Sequence, residues 1–163
     1  MKKVNIFLST VAFSMMIVSC SSVKEMGTSE NLLNGTWQLR TISTEGVQEK
    51  IKTQILSEAD FNCFVGSLWN FNKKTNRGYY RISKNGNECA AVRRNINWSI
   101  AKDAAGSEIL QYKRADADFK EFADGGDAVR FNVLSLEKNS MQLKNEMTIE
   151  GKPATLTFNF IRY

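Results

Sequence analysis

The chain has 163 residues, 42% of them hydrophobic, and one proline, which suits a single globular domain and excludes wholesale disorder. It contains no histidine, so histidine triads, His-zinc sites and imidazole general bases are excluded. The formal charge of +5 falls by two, to +3, without Lys2 and Lys3; the other basic residues are scattered among acidic ones, which argues against a nucleic-acid partner.

The first twenty residues have the features of a secretory signal. Lys2 and Lys3 precede a mostly apolar run at 4–18 that is too short to be a typical membrane-spanning helix. The run ends in Ile17-Val18-Ser19-Cys20. This order resembles the lipobox of bacterial lipoproteins, which implies acylation of Cys20 by fatty acids such as palmitate and a membrane partner. The alternative is an ordinary signal peptide with an incidental cysteine.

The lipobox resemblance divides the chain into three parts. Residues 1–19 are predicted to be a lipoprotein signal peptide, 20–31 a flexible tether and 32–163 the folded domain. Two or more acyl chains make membrane anchoring stable. Ser21, rather than Asp, follows the cysteine, which resembles the outer-membrane sorting rule of enteric bacteria. We therefore expect a bacterial cell envelope protein, lipid-anchored to the outer membrane.

Alternating apolar residues predict eight strands after the tether. They lie at 36–43, 67–72, 79–83, 94–101, 108–114, 129–136, 141–149 and after Pro153. Between the first two, apolar residues at helical spacing predict an amphipathic helix from Gly46 to Ala59 that covers one mouth. A change of parity near Val133 predicts a β-bulge. The pattern indicates an all-β fold, an eight-stranded antiparallel up-and-down β-barrel with one helix after the first strand.

Short motifs along the domain support this architecture. Asn34-Gly35-Thr36-Trp37 opens the first strand, and Cys63 to Phe71, Gly78-Tyr79-Tyr80, Ile96 to Ile100 and Phe160-Ile161-Arg162 follow in order. The set resembles the small lipocalin-like (calycin) domains of bacterial lipoproteins over almost all of 31–163. The resemblance implies that Trp37 plugs the closed end of the barrel and that Arg162 lies across its ring. Arg162 shares the parity of the inward residues of the last strand, and a cation–π contact would compensate its burial.

The two remaining cysteines are candidates for a disulfide. Export implies an oxidising compartment, and acylation of Cys20 leaves Cys63 and Cys89 as a pair. A disulfide would close a loop of about 26 residues and contribute roughly 3–4 kcal/mol. The alternatives are two buried free thiols or a metal pair, for which two cysteines without histidine are poor ligands.

Several predicted inward side chains could line a pocket for a small apolar ligand. The aromatic members are Trp69, Phe71, Tyr80, Trp98 and Tyr112. Asn145 shares the inward parity of its strand and is either a buried polar contact or a rim residue. The alternative is that the aromatic side chains simply fill the barrel, since eight strands are near the limit at which either outcome is possible.

The leading functional hypothesis is therefore a lipid-anchored module that binds or transports a small apolar ligand. The alternative is a filled barrel that acts as a structural or protein-interaction subunit of an envelope complex, with a partner that the sequence does not identify. No nucleophile–base set is visible, so no enzyme is expected. No cofactor is indicated, and the acidic residues Asp116, Asp118, Asp124 and Asp127 do not match a calcium loop, so no metal site is predicted.

Overall fold

The computed structural model describes residues 26–46, 54–56, 58–84, 89–122, 128–149 and 151–163. The predicted signal peptide and Cys20 lie outside these residues. The elements, in chain order, are α1 (Met26–Leu33), β1 (Gly35–Glu45), β2 (Gln54–Ile55), β3 (Ala59–Asp60), α2 (Phe61–Phe64), β4 (Leu68–Asn72), β5 (Arg77–Ile82), β6 (Val92–Lys102), β7 (Glu108–Ala115), β8 (Val129–Leu136), β9 (Ser140–Ile149) and β10 (Lys152–Arg162). Among the helices described, none combines the length and apolar character needed to cross a bilayer.

Eight strands close into one antiparallel barrel, in the order β1-β10-β9-β8-β7-β6-β5-β4. Consecutive strands from β4 to β10 are neighbours, and β1 joins the two ends by pairing with both β4 and β10. This confirms the predicted eight-stranded up-and-down barrel. We call the end where β1 begins and β10 ends the closed end, and the opposite end, where β5 ends and β6 begins, the mouth.

The predicted side-chain alternation is present in the long strands. In β6 the even-numbered residues Ile96, Trp98 and Ile100 are buried, and in β10 the same holds from Ala154 to Phe160. In β8 the pairing register with β9 shifts between Val133 and Ser135, and Leu134 is half exposed. This confirms the predicted bulge, and the extra residue returns Leu136 to the core.

The predicted helix from Gly46 to Ala59 is wrong where the structure describes it. Gln54–Ile55 and Ala59–Asp60 pair as a small antiparallel hairpin, and residues 47–53 lie outside the described residues. Leu56 turns the chain with a φ of 55° and packs against the core. Where the structure describes it, the segment is therefore a hairpin with Leu56 and Ala59 against the core rather than a helix. The short α2 follows this hairpin.

The tether predicted over 20–31 overlaps helix α1 from Met26 onward, and its residues 20–25 lie outside the described residues. Residues from Met26 onward belong to helix α1, and Leu33 at its end is buried in the core. Ser29 Oγ donates a hydrogen bond of 2.7 Å to Glu108 at the start of β7, which lies at the closed end. Helix α1 is therefore folded against the barrel base, and the tether can extend only up to residue 25.

The predicted disulfide is present. Cys63 and Cys89 are bonded, with their Cα atoms 5.5 Å apart and a separation of 26 positions in the chain. Cys63 belongs to α2, and Cys89 precedes β6, so the bond ties the segment over the mouth to the rim of the barrel. Cys63 itself is buried in the core.

Candidate functional site

The barrel interior is packed with aromatic side chains. The five predicted lining residues are each between 0% and 3% exposed: Trp69, Phe71, Tyr80, Trp98 and Tyr112. Trp69 stacks on Tyr80 at 4.9 Å between ring centres and meets Tyr112 and Phe160 edge-on, each at 5.8 Å. The side chains thus fill the space that an interior ligand would need, which is the alternative that the sequence left open.

The polar atoms of these side chains are bonded to the protein itself. The Trp69 indole donates to Ser67 Oγ at 2.9 Å, and the Trp98 indole donates to the Arg77 carbonyl at 3.1 Å. The Tyr80 hydroxyl donates to Glu58 at 2.9 Å. These three groups are therefore already hydrogen-bonded inside the barrel, and a ligand would have to compete for them.

Asn145 lies apart from the aromatic residues. Its Nδ2 donates to the Arg130 carbonyl at 2.8 Å, just beyond the point where pairing between β8 and β9 ends, at Asn132 and Lys144. The side chain thereby supplies a hydrogen bond where the backbone ladder has stopped. Asn145 is partly exposed and belongs to the rim, one of the two positions that the sequence allowed.

The closed end is held by Trp37 and Arg162, as predicted. They are register partners on β1 and β10, and Arg162 Cζ lies 4.2 Å from the centre of the Trp37 ring. The guanidinium donates to the carbonyls of Leu32 and Asn34, both at 2.6 Å, and of Lys138 at 3.0 Å. Two of these carbonyls lie at the end of α1, where backbone acceptors lack helical partners. This arrangement is a structural clasp.

A charged cluster, which the sequence analysis missed, lies at the mouth. Glu58, from the loop between β2 and β3, accepts hydrogen bonds from Arg94 Nε and Nη2 at 2.9 and 2.8 Å. It also accepts the Tyr80 hydroxyl bond, and Arg114 Nη1 lies 3.5 Å away. Only 9% of the Glu58 side chain is exposed. We call Glu58, Tyr80, Arg94 and Arg114 the mouth cluster.

The mouth cluster shifts the protonation equilibria of its members. Burial raises the pKa of Glu58, but hydrogen bonds from Arg94 and Tyr80 and the charges of Arg94 and Arg114 outweigh it, so the pKa is lowered overall. Burial, and then the charge of Glu58, raises the pKa of the Tyr80 hydroxyl. The cluster therefore holds an ionised carboxylate against two guanidinium groups and a neutral phenol.

One sequence signal could have located this cluster. Arg94 is on the same face of β6 as Ile96, and Arg114 is on the same face of β7 as Tyr112. Both arginines therefore had inward parity at one end of the barrel, where a buried charge needs a partner. Glu58 could not be identified as that partner, since its segment was predicted to be helical.

An open groove of about 830 Å³ adjoins the mouth cluster. Its walls come from the start of β6, the end of β7 and the loop that follows: Arg93, Arg94, Asn95, Arg114, Ala115, Asp116, Ala117, Phe119 and Phe122. We call it the mouth groove. Phe122 is 49% exposed, and Phe119 is fixed by Arg77, whose Cζ lies 4.8 Å from its ring centre. The groove therefore combines guanidinium groups with an aromatic surface.

The acidic loop has a structural role where it is described. One carboxylate oxygen of Asp116 accepts the backbone N–H groups of Asp118 and Lys120, both at 2.9 Å, which shapes the turn at the groove wall. The described residues contain no group of three or more potential metal ligands. Asp124 and Asp127 lie outside the described residues.

Comparison with known proteins matches one family model and several solved structures of low sequence identity. The family model described as a lipocalin-like domain matches residues 33–143. A bovine odorant-binding protein complexed with its natural ligand is similar at 14% identity, with 83% of this chain and 72% of that chain covered and a TM-score of 0.43. Lobster apocrustacyanin A1 is similar at 11% identity, with 85% and 69% covered and a TM-score of 0.43. No curated protein sequence matches the chain.

Proposed function

Because the chain belongs to the lipocalin-like domain family, we propose that it binds a small, partly apolar ligand while anchored to the bacterial outer membrane through acylated Cys20. The observation that carries the proposal is the contrast between the packed interior and the open mouth groove. A binding role, rather than catalysis, fits a groove that carries guanidinium and aromatic groups. The ligand lies in the groove and leaves the interior packing intact.

The mouth groove suits such a ligand physically. Ala115, Ala117, Phe119 and Phe122 supply apolar surface, and each Å² of apolar ligand surface removed from water contributes about 25 cal/mol. Phe119, which forms one wall of the groove, is held in place by two contacts. Its carbonyl accepts a 3.1 Å hydrogen bond from Asn97, and the Arg77 guanidinium lies over its ring. A pre-formed wall reduces the ordering entropy lost on binding.

A blocked groove tests the binding site. Ala117→Trp places an indole in the groove, and Ala104→Trp places the same side chain on the exposed turn before β7 at the closed end. With 1-decanol as the probe and calorimetry as the readout, Ala117→Trp should weaken binding about tenfold or more, which corresponds to about 1.4 kcal/mol. Ala104→Trp should bind like wild type. Equal binding by all three proteins, or none by wild type, would overturn the groove as the site.

The anchor is tested separately in cells. An alkyne-tagged palmitate should label the wild-type protein and place it in the membrane fraction, because several acyl chains anchor stably. Cys20→Ser should abolish both the label and membrane retention. Cys89→Ser, which removes a cysteine outside the lipobox and breaks the disulfide with Cys63, should retain them. Labelling of the Cys20→Ser protein would contradict the anchor.

The packed interior also favours a second candidate, a filled barrel that serves as an interaction subunit of an envelope complex. Large hydrophobic side chains remain exposed at Phe122, Leu134, Ile161 and Tyr163. This candidate predicts a partner of fixed stoichiometry after cross-linking of intact envelopes at native abundance. A monomeric mass in that experiment, together with decanol binding that depends on the groove, would exclude it.

A further inference from the structure

We propose that Glu58 occupies a carboxylate-binding site and that the ligand is an amphipathic monocarboxylate whose head group replaces Glu58 on Arg94 and Arg114. This inference rests on the proposed function and names the class of ligand that the mouth groove takes. The acyl part of the ligand then lies along the aromatic side of the groove.

The geometry around Glu58 is that of a receptor for a planar anion. Arg94 uses Nε and Nη2 to engage the two carboxylate oxygens separately, at 2.9 and 2.8 Å. Tyr80 donates a third hydrogen bond at 2.9 Å, and Arg114 adds a second positive charge at 3.5 Å. Bidentate arginine contacts favour carboxylates geometrically as well as energetically. Any carboxylate at this position would find the same donors.

The same arginines can be reached from the groove. The side chain of Arg94 is 43% exposed and that of Arg114 is 31% exposed, whereas Glu58 lies beneath them at 9%. Both arginines line the mouth groove. A ligand carboxylate that enters along the groove therefore meets the guanidinium groups that hold Glu58.

Glu58 is carried by a short hairpin outside the barrel ladder, between Leu56 and Ala59, which pack against the core. In the part of the chain that the structure describes, β2 and β3 pair only with each other, over two residues each. The disulfide at Cys63 holds the following segment to the rim, so release of Glu58 need not unravel the mouth. An internal carboxylate on such a hairpin competes with an external one at high effective concentration.

The groove composition defines the rest of the ligand. The groove is lined by three arginines, Arg93, Arg94 and Arg114, and by one carboxylate, that of Asp116. Oδ1 of Asp116 already accepts two backbone N–H bonds. The charge therefore favours an anion. Phe119, Phe122 and two alanines offer apolar surface beyond the arginines. A single carboxylate with a medium-length alkyl chain matches both features.

The test uses decanoate and 1-decanol, which share a chain length and differ in the head group. Glu58→Gln keeps the shape of the side chain and removes the internal competitor's charge. If the Glu58 carboxylate is away from the arginines in about a tenth of wild-type molecules, only that tenth can bind decanoate. The substitution should then tighten decanoate binding about tenfold. Decanol binding should stay unchanged. The matched control, Glu146→Gln, alters an exposed glutamate on β9 and should bind both probes like wild type.

The carboxylate exchange at Glu58 and the proposed ligand-binding function can be refuted separately. If decanol binds in the groove but Glu58→Gln leaves decanoate affinity unchanged or weaker, the carboxylate exchange is wrong and the proposed function stands. If neither probe binds wild type or Glu58→Gln, the proposed function fails with it.

A measurement on the wild-type protein covers the case in which the variant does not fold. Decanoate, but not decanol, should speed hydrogen exchange at 54–60 because Glu58 is displaced. If decanoate binds and leaves exchange there unchanged or slower, the exchange proposal is overturned.

Discussion

Removal of the Arg162 guanidinium should destabilise the closed end of the barrel and lower the free energy of unfolding. Arg162→Met keeps most of the aliphatic length but loses three hydrogen bonds to backbone carbonyls and the contact with the Trp37 ring. Hydrogen bonds to charged groups are worth about 1.5–3 kcal/mol each, and an exposed cation–π contact about 0.5–1 kcal/mol. Since Arg162 is only partly buried, water replaces some of these bonds. We expect a net loss of about 3 kcal/mol.

Such a loss is large against the total stability of a domain, which is about 5–15 kcal/mol. Urea unfolding, followed by the fluorescence of the three tryptophans, measures it directly. The stability of Arg162→Lys should lie between those of wild type and Arg162→Met, because a lysine ammonium lacks the planar guanidinium fork that reaches three separate carbonyls. Arg81→Met, at an exposed arginine on β5, is the matched control and should change stability by less than about 0.5 kcal/mol. If Arg162→Met were as mild as Arg81→Met, the clasp would contribute nothing and the reasoning would be refuted.

Three further predictions concern stability. Gly35→Ala should destabilise by about 1–3 kcal/mol in urea unfolding, since Gly35 has a φ of 126° and an added Cβ would lie 2.6 Å from Arg162 Nη1; an unchanged midpoint would contradict this. Replacement of both Cys63 and Cys89 by alanine should remove about 3–4 kcal/mol through the 26-residue loop, and the oxidised and reduced wild type should differ by a similar amount. Folding lowers the pKa of Glu58. The stability that ionised Glu58 contributes is therefore fully present above its unfolded pKa of about 4.3, and it is lost as the pH falls through its folded pKa. Glu58→Gln should therefore show a weaker loss of stability from about pH 5 to pH 3 than wild type, and parallel curves would rule out this contribution.

The strands were predictable because inward and outward side chains alternate along the sequence of each one. Period-two burial needs only neighbouring residues, as in Ile96, Trp98 and Ile100. The same parity placed Arg162 inward, and the Gly-x-Trp motif at the other end of the domain provided its partner. Register then followed, because Trp37 and Arg162 are opposite each other on adjacent strands.

The missed elements depend on contacts that are remote in sequence. The end of α1 is held by Arg162, 130 positions away, so its polar sequence alone resembled a tether. Glu58 meets Arg94 across 36 positions, and Leu56, two residues before it, packs against the core from a hairpin rather than from a helix. Whether the aromatic interior was full or hollow depended on ring packing, such as that of Trp69 on Tyr80, which no pattern of spacing encodes.

The position of α1 across the closed end sets the orientation of the whole protein if Cys20 carries the lipid. Helix α1 begins at Met26, and the six residues from Cys20 can reach at most about 20 Å when fully extended. The barrel floor would then lie within about 20 Å of the headgroup layer. With the floor held there, the proposed ligand would reach the arginine-lined mouth from solution rather than by sideways entry from the lipid.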